Sequence, residues 1–326
     1  MLTIRSFCNE DPPRLLRLWH SMQRSREEQF SLVPLSFNTL QTQILGLPML
    51  DTRSIMLAFD GVVPVGYIHT TFAPDKDGYS LDYTTGQICF LCVDPDYYDA
   101  SGVAAELIRA GEDYLIDLGA QQIFGGSPPP SAPFYTGFYG GGAAVGFLCS
   151  DRAIINAFSV ANYQIYQKTA WFHFDLQALA TAITEETIGY YTDLEVEIRE
   201  TSSAKTWWDG CALSNGIWFD ATAYLTQGKR PIARLRMRIA YPDSETLLKM
   251  YGGTWLASLM ELRVHPDYIG KGIALFLLGE LIQYLATQNQ HFHIEAHVTE
   301  GSPLFELLRN QMWQERDSGC IFVKTL

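Results

Sequence analysis

The 326-residue chain is 47% hydrophobic and 18% charged, enough apolar content for a sizeable core and unlike a disordered composition. Its net charge of −13 repels phosphate backbones and anionic lipid, so nucleic acid and membrane are not expected partners. No apolar run approaches the roughly 20 residues that cross a bilayer. The opening MLTIRSFCNEDPPRLL has no basic region followed by an apolar stretch, and the six cysteines are scattered. These features lead us to expect a cytoplasmic protein with free thiols.

In chain order, Leu2–Phe7 alternates like a strand. SIMLAFD (54–60) and VPVGYIHTTFA (63–73) follow as two strands joined by a turn centred on Gly61. The strand ICFLCV carries Cys89 and Cys92. Positions three apart on a regular strand face opposite sides, so this CxxC is read as two small buried side chains and no metal site is expected. VDPDYYDASGVA (93–104) then leads into the helical AELIRAGEDYLIDLG and the strand QQIFGG. Gly125–Gly146 is a Gly/Pro/aromatic loop, either a functional lid or a rigid packing loop. SDRAIINAFSVANY and DLQALATAITEET read as helices, and VEIRET (196–201) repeats the pattern of the opening strand. RPIARLRMRIAY (230–241) alternates cleanly, but its partner is not evident. SLMELRV, VHPDYIGKGIA, LFLLGELIQYLAT and HFHIEAHV then repeat the strand–loop–helix–strand order of the first half. The expectation is two mixed α/β units, at 1–175 and 196–326, joined by a linker over 176–195.

The repeated turn has a chemical meaning. The first-turn N–H groups of a helix lack intrahelical partners and sit at the positive end of its dipole, so they attract anions. Gly270 and Gly272 let a phosphate approach the backbone, Ala274 is nearly as small, and Lys271 adds charge. The sequence has no GxxxxGK[ST] and no GxGxxG after the first strand, so neither a P-loop nor a Rossmann site is expected.

VHPDYIGKGIA with its flanking strand and helix resembles the acetyl-coenzyme A signature of the GNAT acetyltransferases, roughly V-x-P-x-[QR]-x-x-G-x-[GA]. Gly272 and Ala274 match its last two positions, as do Gly102 and Ala104 in the first half. Ile269 and Asp99 stand at the Gln/Arg position, and an acid there disfavours pyrophosphate. The arrangement is similar to that of mycothiol synthase and other double-GNAT proteins. The resemblance implies two tandem acyl-CoA N-acyltransferase folds, with acetyl-CoA as acyl donor and a small amine as acceptor. It implies that Leu262, Arg263 and Val264 line the pantetheine arm and that Gly270, Lys271, Gly272, Ile273 and Ala274 hold the pyrophosphate. Val93, Gly102, Val103 and Ala104 are the corresponding first-half positions. The family's thiolate-protonating tyrosine is replaced by Phe158 and Leu308, with Tyr135 and Tyr139 as possible substitutes.

Direct transfer needs a base for the amine. By period two, Leu259, Glu261 and Arg263 are expected on one strand face, with Glu261 the candidate base or an ion-pair partner; Phe90 is its first-half counterpart. His293, Glu295 and His297 also share a face, and Glu295 or His297 is an alternative base. Their spread of about 13 Å is too wide for one metal ion. The second half is expected to be the active unit and the first to shape the acceptor pocket. A non-catalytic acyl-CoA-binding protein is the alternative, and a longer acyl donor is a third reading. A monomer is expected, with a homodimer possible.

Overall fold

A computed structural model describes residues 2–24, 35–128, 134–135, 146–175, 193–201, 206–213, 216–240, 255–287, 292–310 and 313–326. The helical segment expected at DLQALATAITEET, most of the 125–146 loop and Tyr139 lie outside them.

The strands of the first repeat are β1 (Leu2–Ser6), β2 (Ile55–Asp60), β3 (Val63–Pro74), β4 (Leu81–Val93), β5 (Gln122–Gly125), β6 (Phe147–Leu148) and β7 (Gln164–Asp175). Those of the second are β8 (Leu194–Thr201), β9 (Gly216–Leu225), β10 (Arg230–Ala240), β11 (Trp255–Val264), β12 (Phe292–Thr299) and β13 (Gln314–Thr325). All join one sheet in the order β1-β2-β3-β4-β5-β13-β7-β12-β11-β10-β9-β8, with β6 paired to β13. β4–β5 and β11–β12 are parallel, and the other pairs among the described residues are antiparallel. Parallel neighbours need a crossover connection. α3 (Ala100–Asp117) and α6 (Ile273–Thr287) supply it.

The strand order reads as two copies of one pattern meeting at the middle, except that the last strands are exchanged. β13 lies beside β5, and β7 lies beside β12. Side-chain packing follows the exchange. Ala170, Phe172 and Phe174 of β7 sit in one core with Leu235, Leu259, Ile273 and Leu281 of the second repeat. Cys320 and Phe322 of β13 sit with Ile88, Val103, Leu107 and Phe158 of the first.

The partner that the sequence left open for RPIARLRMRIAY is β9, in register from Arg230↔Leu225 to Ala240↔Gly216. β11 flanks its other edge. The hairpin turns on Gly228 and Lys229, both at positive φ.

The helix α1 (Pro12–Arg24) packs on the opposite sheet face from α3. Its Leu15, Leu18, Trp19 and Met22 are buried at helical spacing, and proline suits its first turn. Asp11 ties its start to β1, accepting from Arg5 at 2.6 and 2.7 Å, Arg14 at 2.7 Å and Cys8 N–H at 2.7 Å. Burial opposes ionisation of Asp11, but these donors hold its carboxyl well below the usual range. Short helices α2 (Phe37–Leu40), α4 (Arg152–Val160), α5 (Trp207–Leu213) and α7 (Pro303–Arg309) complete the described fold. No described helix is long and apolar enough to cross a membrane.

Candidate active site

Each repeat opens a cleft where its parallel pair parts. β4–β5 pairing ends at Ile88↔Gly125, while β4 runs on to Val93. β11–β12 pairing ends at Leu259↔Ala296, while β11 runs on to Val264. Immediately after the last parallel pair, both strands carry a bulge against their antiparallel neighbour. It falls at Cys89, between His69↔Phe90 and Thr70↔Ile88. It falls at Met260, between Arg236↔Glu261 and Met237↔Leu259. An extra residue bends the strand and shifts the alternation of its side chains.

The bulges correct two expectations. Leu259 pairs with Met237 and enters the apolar core, while Glu261 pairs with Arg236 on the other face. Leu259 therefore does not share a face with Glu261 and Arg263, whereas Ser258, opposite Arg238, does. In the first repeat, Cys89 and Cys92 both pack toward the α1 core instead of facing apart. Burial pushes the Cys89 thiol up to about 12, against a hydrogen bond with Ser127.

Glu261 is ion-paired with Arg263, which is 81% exposed against 29% for Glu261. Asp220 joins Arg234 and Arg236 on the same face, with Arg236 Nε 2.9 Å away. Leu262 and Val264 are half-buried against the core, leaving the backbone of β11 as the cleft edge.

The two loops differ at their helix starts. After β11, Pro266–Tyr268 forms a 3-10 turn, and Gly270 and Gly272 take φ of +78° and +75° before α6 begins at Ile273. Those values favour glycine. Gly270, Lys271 and Gly272 are exposed, a Cβ on Gly270 would meet nothing within 4 Å, and Ala274 is half-buried. Ile273 turns into the core, and Lys271 Nζ stands 5.0 Å from the Tyr268 ring centroid. After β4, Asp99 instead caps α3, accepting from Gly102 N–H at 3.1 Å. A Cβ on Gly102 would lie 2.3 Å from that carboxylate. Val93, Val103 and Ala104 are buried in the core.

The first cleft is filled on its α1 side. Phe90, at the position of Glu261, packs against Trp19 at 5.0 Å and Tyr135 at 4.7 Å, and those two rings stand 6.4 Å apart. His69 Nδ1 lies 3.0 Å from the Tyr135 hydroxyl, and burial lowers its pKa to about 3. Phe158 stacks on Phe322 at 4.7 Å beneath Gly125, and Leu308 is fully buried. Neither tyrosine-equivalent position offers a proton donor.

The second cleft is polar on the matching face. The register aligns Arg238, Ser258, Glu295 and His173 in one row across β10, β11, β12 and β7. His297 lies opposite Trp171, with ring centroids 5.8 Å apart. Burial drives the Glu295 pKa well above the usual carboxylate range, opposed by Trp171 and the charge of Arg316. Among the described residues, Ser258 Oγ and Glu295 Oε2 have no hydrogen-bond partner. Arg238, Ser258, Trp171 and His173 were missed in the sequence. The alternation of WFHF marks the last two as sharing a face, but nothing in it shows that β7 crosses to β12.

Residues 18–138 match the acetyltransferase (GNAT) family. The chain resembles the GCN5-related glucosamine N-acetyltransferase region of a fungal multi-domain GH3 β-N-acetylglucosaminidase, with TM-score 0.66 and 14% identity. That likeness covers 99% of this chain and 38% of the fungal one. A tandem GNAT protein from the clavulanic acid biosynthesis pathway gives TM-score 0.65 and 11% identity, covering 99% and 98%. A GCN5-related N-acetyltransferase from Sphaerobacter thermophilus gives 0.59 and 14%, covering 99% and 95%. No curated protein matches the sequence. The fold is thus a mixed α/β tandem GNAT fold.

Proposed function

We propose that this chain, which carries a GNAT acetyltransferase domain, is an acetyl-CoA-dependent N-acetyltransferase of a small amine, with its transfer site in the β11–β12 cleft. It comprises two units, 1–175 and 196–326, joined by 176–195. The observation that carries the choice of cleft is the contrast between the loops. Asp99 already supplies an anion to the amides at the start of α3, whereas Gly270–Ala274 presents an exposed glycine turn with Lys271 beside it.

In this reading the pyrophosphate rests on the first turn of α6, and the pantetheine arm follows the backbone of Leu262–Val264. A backbone N–H near the Met260 bulge stabilises the oxyanion. Glu261 takes a proton from the amine nitrogen as it attacks the thioester carbonyl. The N–C bond forms, the C–S bond breaks, and that proton ends on the sulfur.

The family match at 18–138 favours a second reading, with the coenzyme on the first repeat. Asp99 counts against it, because the cap must be displaced first. Calorimetric titration of acetyl-CoA into Gly272→Val decides between them. Loss of binding by a folded variant supports the second cleft. Unchanged affinity removes it.

A further inference from the structure

We infer that Glu295, His173 and His293 form a proton path leading out of the β11–β12 cleft, with His173 supplied by the other repeat through the strand exchange. The inference rests on reading that cleft as the transfer site.

The geometry is a short chain of groups. Glu295 pairs with Ser258, one step before the final parallel pair Leu259↔Ala296, so it sits at the throat where the strands part. His173 Nδ1 is 3.8 Å from Glu295 Oε1. His173 Nε2 is 3.2 Å from His293 Nδ1. Exposure rises along the chain, from 1% for Glu295 to 8% for His173 and partial exposure for His293. The first distance exceeds a direct hydrogen bond, so transfer there needs a small side-chain rotation or one water.

The first repeat supplies an internal control. Aligning the last parallel pairs and the bulges matches Ser258 with Gln87, Glu295 with Phe124 and His173 with Val323. The same fold position therefore accepts phenylalanine and valine. Burying a carboxyl with one oxygen unpartnered is destabilising. Folding alone gives no reason to keep Glu295 and His173 there. Among the described residues, the charged and titratable neighbours of this row are His297 on β12, Arg316 on β13, Arg238 on β10 and Asp175, which pairs with His293 in the register.

The reaction releases one proton: an ammonium and an acetyl thioester give an amide, a thiol and H⁺. Glu261 handles the proton that ends on sulfur. The proton lost by the ammonium before attack must reach water. Burial favours the protonated form of Glu295. It passes its proton to His173 Nδ1, which passes one from Nε2 to His293, and Glu295 is refilled from the ammonium. His173 and His293 act through Glu295 and are positioning groups.

The test uses the full chain with His173→Gln and the more exposed His293→Gln. Acetyl-CoA affinity stays at the wild-type value. Single-turnover transfer slows by at least about tenfold, the low side of a general-base effect. Its pH profile shifts, and added imidazole restores part of the rate. Wild-type rates and pH profiles in both variants overturn the path, as does a loss that imidazole does not restore in a folded protein. A separate readout is NMR titration of the ring nitrogens. His173 and His293 titrate as a coupled pair whose midpoints move in Glu295→Gln; independent, unmoved midpoints overturn the path. If coenzyme binds but no amine is turned over, the transfer-site reading fails, and the NMR result alone judges the coupling of the groups.

Discussion

Asp99 accepts a hydrogen bond from the Gly102 backbone N–H at 3.1 Å, so the helix after β4 is capped by its own chain. The helix after β11 begins instead on an exposed turn through Gly270 and Gly272. Asp99→Ala leaves first-turn amides without that acceptor and is expected to cost about 1 kcal/mol. Asp99→Asn retains an acceptor and should cost less. Urea unfolding midpoints compare the two, and equal losses would contradict the capping role.

Lys271 is exposed beside Tyr268 at the start of α6. If it faces a pyrophosphate, Lys271→Glu weakens acetyl-CoA binding more at low salt than at high salt, because added salt shortens the reach of exposed charges, about 10 Å at 0.1 M. Calorimetry at two ionic strengths checks this. A loss independent of salt places the lysine away from the phosphates.

Glu261→Gln keeps shape and hydrogen bonding but removes the basic oxygen. Coenzyme binding should persist, while turnover falls by about 10²–10⁴-fold. Thiol release across an amine panel measures it. Full activity would pass the role to another group in the cleft, with Glu295 and His297 first. Tight coenzyme binding without release for any amine would support the non-catalytic alternative.

Two buried groups give opposite pH signatures. Glu295 has a folded pKa above its unfolded value of 4.5, so its stabilisation is complete below that value and is lost as pH rises through the folded pKa. Glu295→Gln should therefore gain in melting temperature relative to wild type as pH is raised from about 4.5. His69 has a folded pKa of about 3 against 6.5 unfolded, so its stabilisation holds above 6.5 and is lost as pH falls toward 3. His69→Gln should flatten the acid limb of the stability curve. Melting temperatures of both variants across pH 3–8 test the two signs; parallel curves would refute them.

Much of this molecule follows from local pattern. The alternation of LTIRSF and VEIRET, the Gly61 hairpin, and the strand–loop–helix runs at 88–117 and 255–287 are set by residues close in sequence, so the two copies can be read from the chain alone. The pairing of His293, Glu295 and His297 on one face also follows from simple alternation, because β12 carries no bulge in its register.

Other features belong to contacts between distant segments. A bulge is a mismatch of length between two strands, so only the pairing of β10 with β11 reveals that Leu259 turns from Glu261 and that Ser258 turns toward it. Whether a carboxylate at a helix start faces water or the amides depends on the path of the turn, which decides between Asp99 as a surface acid and Asp99 as a cap. The exchange of β7 and β13 is a choice between two similar sheet edges, made by core packing over more than a hundred residues of separation. That choice brings His173 of the first repeat to within 3.8 Å of Glu295 of the second, a proximity that no local periodicity encodes.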